Sequence, residues 1–256
     1  MSLEPHAPNA RPAAEQVVRD FALLWWEDRR SFFSNTFLGI PTLQHPFDAW
    51  ITQEIICEVR PQVVVEIGSY CGGSAVMWAM LLQQLDPDAI VVSVDIEDNT
   101  AQARQLEIFE RRVRFIRGSS VDPDVIEEVF RHVADRRALV ILDSAHNKAH
   151  VSAELEAYAT LVAPGSYLIV QDTAINGHPV EPEWGPGPYE AVQEFLEHDD
   201  RFIVDWRRER MMFTLNPGGY LWRKGGANPP PDRAMAAKLH AMGGVDHGLP
   251  RPGGDR

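Results

Sequence analysis

Apolar residues return as Ala14, Val17, Val18, Phe21, Leu24 and Trp25, the i, i+3, i+4, i+7 spacing of one helical face. An amphipathic helix over 13–30, laid on something apolar, is predicted. Pro46 suits the first turn of a second helix, which presents Phe47, Trp50, Ile51 and Ile55 and stops before Pro61. From Gln62 the period changes. Short β-branched runs at Val63–Ile67, Ile90–Asp95, Arg114–Arg117, Ala138–Asp143 and Ser166–Asp172 alternate with helical stretches around 74–85, 100–112, 122–135 and 147–162. Runs that are apolar on both faces belong in a parallel sheet covered by helices on each side. A Gly/Pro-rich loop from Gly177 to Pro188 precedes one more helix at 189–198. Two late strands follow, the first near Phe202–Trp206 and the second at Met211–Thr214 or Tyr220–Arg223, the second fit to close the sheet antiparallel. The predicted fold is α/β, a mostly parallel doubly wound sheet with N-terminal helices. It divides into a helical cover at 1–61, a core at 62–223 and a Gly/Pro-rich tail at 224–256. The tail's composition alone cannot fold. If ordered, it is held against the domain or a neighbouring subunit, and with the apolar N-terminal helix it points to a homo-oligomer.

Composition narrows the partners. The chain of 256 residues carries 24 basic against 37 acidic side chains, a net charge of −13, which repels a phosphate backbone, and no basic cluster interleaved with aromatics offsets it. Nucleic acid is excluded as a partner. The longest apolar stretches, such as Ala75–Leu82, fall short of the ~20 residues of a membrane span. The first residues, with Glu4 and two prolines, lack the basic and apolar regions of a signal peptide. A cytoplasmic protein is expected. Cys57 and Cys71 lack the spacing of a zinc or redox site and read as reduced thiols.

Ligands of an open parallel sheet bind outside the carboxyl ends of its strands. The first end reads Glu66-Ile67-Gly68-Ser69-Tyr70-Cys71-Gly72-Gly73-Ser74. A dinucleotide fingerprint needs glycine where Tyr70 stands, and a P-loop needs a lysine between Gly73 and Ser74, so NAD and ATP are disfavoured. Asp95 ends the second strand, where an acid can accept hydrogen bonds from both hydroxyls of a ribose. Ser119 and Ser120 follow the third, as an adenine contact or a plain turn. The fourth and fifth ends carry Asp143 with His146, and Gln171 with Asp172. Neighbouring parallel strand ends lie about 5 Å apart. Asp143, Asp172 and the amide oxygen of Gln171 would therefore suit Mg²⁺ or Ca²⁺, with His146 taking a proton from a coordinated alcohol. In the plainer alternative Asp143 meets a cofactor ammonium, Asp172 caps a loop and His146 starts a helix. Trp184 and Tyr189, in the loop after the fifth strand, could cover the apolar face of a sugar.

The Glu66–Ser74 phrase resembles motif I of class I S-adenosylmethionine (SAM)-dependent methyltransferases. With Thr36–Pro41, Pro46–Trp50, Asp143–His146, Gly165–Val170, Gly187–Val192 and Asn216–Leu221, the chain resembles the small methyltransferases grouped with cephalosporin hydroxylase and rhamnosyl O-methyltransferase, from about Asn35 to Arg223. The resemblance implies a Rossmann-like class I methyltransferase fold. It implies SAM held by Glu66, Gly68, Ser69, Tyr70, Ser74, Asp95, Ser119, Ser120 and Asp143, a divalent cation at Asp143 and Asp172, and His146 as general base. Where the family has Glu-Asp this chain has Gln171-Asp172, one negative charge fewer. The implied activity is methylation of a deoxysugar (rhamnosyl) hydroxyl on a small-molecule glycosylated acceptor, a natural product such as an antibiotic. Three alternatives stay open: a metal-dependent catechol or phenol O-methyltransferase, a component of antibiotic methoxylation, and a non-catalytic adenosyl-binding module.

Overall fold

The β-branched runs form the strands their composition predicts. The computed structural model describes residues 11–227 and 229–231. In it β3 (Val63–Ile67), β4 (Ile90–Asp95), β5 (Val113–Arg117), β6 (Ala138–Leu142) and β7 (Tyr167–Val170) run parallel, with β8 (Phe202–Val204) and β9 (Tyr220–Arg223) completing one sheet. Its order is β5-β4-β3-β6-β7-β9-β8, and β9 is antiparallel to both neighbours. Between β3 and β6 the order reverses direction, and a crevice opens there at the strands' carboxyl ends.

Alternate strand residues feed two buried layers. Val63, Val65 and Ile67 pack with α6 (Pro123–Val133), α7 (Lys148–Tyr158) and α8 (Pro188–His198), while Val64 joins α3 (Pro46–Val59), α4 (Gly73–Leu85) and α5 (Glu107–Arg112). Every residue of β3 and of β6 is buried, which is why both read as apolar runs, broken only by Glu66, rather than as alternating ones.

At element level the structure revises two readings, decides a third and adds a hairpin. The stretch 100–112 is no single helix: a 3₁₀ turn at Ala103–Gln105 and α5 are separated by Leu106 in an extended conformation. Of the two sites offered for the closing strand, Tyr220–Arg223 takes it. Met211–Thr214 is a loop in which Met212 has φ 67° and Thr214 Oγ1 donates to Asp48 at the start of α3. A two-residue hairpin joins β1 (Thr36–Phe37) to β2 (Ile40–Pro41), with Leu38 and Gly39 both at positive φ, the geometry whose twist suits tight antiparallel pairs. The N-terminal helix α1 (Arg11–Glu27) is also rotated from the expected face. Val17 and Leu24 are 66% and 64% exposed, while Val18, Ala22, Trp25 and Trp26 turn inward onto Ala174, Ile175, Val180, Phe213 and Leu215. Its apolar arc is wider than one face, and the indoles and the small Ala22 fit the loops after β7. With α2 (Arg29–Phe33) it roofs the crevice.

No helix among the described residues is long and apolar enough to cross a membrane. The tail begins tied down. Lys224 N donates to Arg201 O at 2.8 Å, and a Cβ on Gly226 would lie 2.2 Å from the Gly165 Cα. Its remainder from residue 232, and the first ten residues on which the signal-peptide reading rests, lie outside the described residues.

Candidate active site

Five strand ends converge on one cavity of about 590 Å³. Gly68, Ser69, Tyr70, Ser74, Asp95, Ser119, Ser120, Asp143, His146 and Asp172 line it together, while Glu66 and Gln171 do not.

The loop after β3 needs glycine at its start. Gly68 has φ 99°, and a Cβ there would lie 1.9 Å from the Asp143 carbonyl oxygen, so the loops after β3 and β6 pack backbone to backbone. Asp95 ties the same loop down: its Oδ2 accepts from Ser69 N at 2.9 Å and Tyr70 N at 2.7 Å, and its Oδ1 from Glu97 N at 3.0 Å. Of about four lone-pair positions on a carboxylate, backbone N–H groups take three.

Glu66 lies beneath the loop rather than in the cavity. It is buried, accepting from Trp78 Nε1 at 3.0 Å and Ser93 Oγ at 2.6 Å. Burial, opposed by those hydrogen bonds, pushes its pKa up to about 7. The folded state thus binds a proton that the unfolded chain has released, so Glu66 costs stability as pH rises from about 4.5 to about 7, by up to ~3 kcal/mol in all. In the Glu66→Gln variant this slope flattens, because an amide has no proton to lose and still accepts from Trp78. Urea melts at pH 5 and pH 8 measure it, and an unchanged slope refutes the assignment.

The loop ends of β6 and β7 hold the acids. Side-chain ligand atoms of Asp143, His146 and Asp172 all lie within 4.8 Å of one another. His146 Nε2 stands 3.3 Å from Asp172 Oδ2. Asp143 is raised well above the usual carboxylate range by burial and then by the charge of Asp172. Burial also raises Asp172, an effect eased by His146 and reinforced by Asp48. Asp172 sits at φ 55°, a left-handed conformation that Asp tolerates, with its N–H donating to Asn216 Oδ1 at 3.0 Å. Two partly buried acids this close repel one another unless a cation joins them, and a carboxylate pair with an imidazole is a donor set that fits a divalent ion.

Gln171 stands beside this group. Its Oε1 accepts from Gln44 Nε2 at 2.9 Å, its Nε2 donates to Gln44 Oε1 at 2.9 Å, and Gln44 Nε2 also reaches Asp143 Oδ2 at 3.1 Å. The amide oxygen expected to face a metal is thereby engaged with Gln44, which the β1–β2 hairpin delivers and no local motif announces. The opposite wall is aromatic, with Trp26, Phe32, Phe33 and Trp184. Trp26 Nε1 donates to Glu181 Oε1 at 2.7 Å and Trp184 Nε1 to His146 O at 2.9 Å, so N-terminal helix, loop and His146 are linked. Tyr189 instead stacks on His178, with ring centroids 3.9 Å apart, and does not line the cavity.

Comparison with known proteins gives the chain's family and fold. The family model described as Rhamnosyl O-methyltransferase/CmcI matches residues 30–224. The chain is 35% identical over 206 residues to a rhamnosyl O-methyltransferase of Mycobacterium tuberculosis H37Rv, covering 78% of this chain and 82% of that one. It is 30% identical over 134 residues to a catechol O-methyltransferase of Sus scrofa, covering 50% of this chain and 69% of that one. A solved structure of CmcI with Mg and SAM superposes with a TM-score of 0.57 at 21% identity, covering 79% of this chain and 84% of that one, which shows a shared fold.

Proposed function

The chain belongs to the rhamnosyl O-methyltransferase/CmcI family of SAM-dependent O-methyltransferases, and from that premise we propose that it methylates a deoxysugar hydroxyl on a small glycosylated natural product. The observation that carries this reading is the grouping, in one cavity, of the glycine-bearing β3 loop, Asp95, the Asp143–His146–Asp172 cluster and an aromatic wall. Bound SAM supplies a methyl group on a sulfonium whose departure leaves a neutral thioether. Gly68 lets the backbone approach that ligand, Asp95 accepts from a ribose hydroxyl, and the partly buried charge of Asp143 favours a cationic centre nearby. His146 Nε2, 3.3 Å from Asp172 Oδ2, donates to that carboxylate, which holds the imidazole in place, and the other ring nitrogen takes the proton of the acceptor hydroxyl. Trp184 fixes the His146 backbone and, with Trp26, Phe32 and Phe33, offers apolar ring faces to the C–H face of a sugar and keeps water out. Asp143 and Asp172 would hold a divalent cation, which would supply Lewis-acid polarisation of the acceptor oxygen.

Calorimetric titration with S-adenosylhomocysteine, with and without Mg²⁺, followed by methyl transfer to a panel of rhamnosides and catechols, tests the reading at each level. We expect homocysteine-nucleoside binding, Mg²⁺-dependent heat and turnover of a rhamnoside. Absence of nucleoside binding removes the enzyme reading, indifference to the metal removes the cation, and turnover of catechols alone moves the acceptor to the phenol class, to which the Sus scrofa relative belongs by its name.

A further inference from the structure

A buried cluster beside Asp143, between the loops after β5 and β6, has no role in the methyl transfer described above. Glu154 on α7 is fully buried, and its Oε1 accepts from Ser120 Oγ and Ser144 Oγ, each at 2.5 Å. His150 Nε2 lies 3.1 Å from the same oxygen and 3.0 Å from Ser120 Oγ. Glu154 Oε2 has no hydrogen-bond partner, and Tyr158 OH donates to Ser120 O at 2.6 Å, pinning the loop. Ser120, Ser144 and His150 line the cavity.

The proton positions follow from counting. A serine hydroxyl has one proton and two lone pairs. A carboxylate oxygen accepts whether or not its twin is protonated, so both serine protons point at Glu154. An unprotonated Nε2 at 3.1 Å from that oxygen would set two lone pairs against each other, so His150 carries its proton on Nε2 and donates. What Ser120 and Ser144 have left to show the cavity is lone pairs. Asp95 closes β4, and Asp143 closes β6 two strands away. A nucleoside with its ribose on Asp95 and its sulfur end toward Asp143 turns its base outward toward β5, whose loop carries Ser120.

Resting on the SAM reading above, we propose that Glu154 is a positioning residue that sets the polarity of the base subsite, holding the Ser120 and Ser144 hydroxyls as acceptors so that the site selects a purine edge bearing an amino group and rejects its keto counterpart. A site whose polar groups are committed rejects the mismatched analogue strongly, because a buried acceptor then faces another acceptor.

The test compares calorimetric affinities of S-adenosylhomocysteine and of its hypoxanthine analogue, S-inosylhomocysteine. Wild type should prefer the adenosyl compound by ~10²-fold or more, and Glu154→Leu, which frees both hydroxyls to rotate, should bring the preference below about tenfold. The double variant Ser120→Ala with Ser144→Ala removes both acceptors while leaving Glu154 in place. It should lose the preference likewise, and it decides the matter if Glu154→Leu does not fold. A wild type that binds both compounds with affinities less than about tenfold apart, or folded variants that keep the wild-type preference, overturn the proposal. A wild type that binds neither overturns the SAM reading itself.

Discussion

The His146→Ala variant should turn over its sugar acceptor ~10²-fold more slowly, or worse, while binding S-adenosylhomocysteine and Mg²⁺ as wild type does. Positioned proton transfer contributes about 10² to 10⁴, and among the described histidines His146 alone joins the two acids Asp143 and Asp172 in one cluster. Its imidazole is 27% exposed, its Nε2 is 3.3 Å from Asp172, and its carbonyl is held by the Trp184 indole. A ring so placed reaches the acceptor side of the cavity without being free to swing. The same geometry allows a competing role, because Nε2 is also close enough to Asp143 and Asp172 to be a third ligand to a cation. The two roles part in the measurement. A base lost to alanine lowers kcat at unchanged Mg²⁺ affinity, whereas a lost ligand weakens Mg²⁺ binding, and that second outcome would take proton abstraction away from His146.

How far the chain could be read in advance depended on whether a residue's partners were local. The parallel strands were legible because Val63–Ile67 and Ala138–Leu142 are buried on both faces and leave an apolar imprint that Glu66 alone interrupts. The site followed from topology, since strand ends at the switch point must face the crevice. The orientation of α1 was not legible. Its apolar residues span more than one face, and Phe213 and Ile175, which pull Trp25, Trp26 and Ala22 inward, are far away in sequence. Gln171 shows the same limit: by identity it is a fair metal ligand, but its amide is engaged by Gln44, 127 residues earlier. Glu154 was within reach, because His150 and Glu154 stand four apart on one helix face, yet nothing local reveals that Ser120 and Ser144 meet them.

Asp172→Asn should produce a protein that is more stable and nearly inactive. Asp143 and Asp172 are both partly buried, and the charge of Asp172 is, after burial, the largest cause of the upward shift at Asp143. Holding two like charges there works against folding as long as no cation joins them. Asparagine keeps the shape, tolerates the left-handed φ of 55°, leaves the N–H to Asn216 intact and removes one charge. Without added metal the variant should therefore melt above wild type by ~2–4 °C, the shift that about 1 kcal/mol produces in a chain of this size. Adding Mg²⁺ should raise the melting temperature of wild type, since a ligand that binds only the folded state stabilises it, and should do nothing for the variant. Turnover should fall by ~10³-fold, the several kcal/mol that a polarising cation contributes. The two readouts move in opposite directions, which a merely damaged fold cannot imitate. A variant that melts lower without metal would show that the acid pair is not strained, and one that still gains from Mg²⁺ would place the cation elsewhere. The strain at the mouth of β6 and β7 is on this account functional: the repulsion that Asp143 and Asp172 hold against folding is what a divalent cation relieves on binding, and the Gln171–Gln44 pair, neutral where the family pattern carries an acid, keeps that repulsion to two charges instead of three.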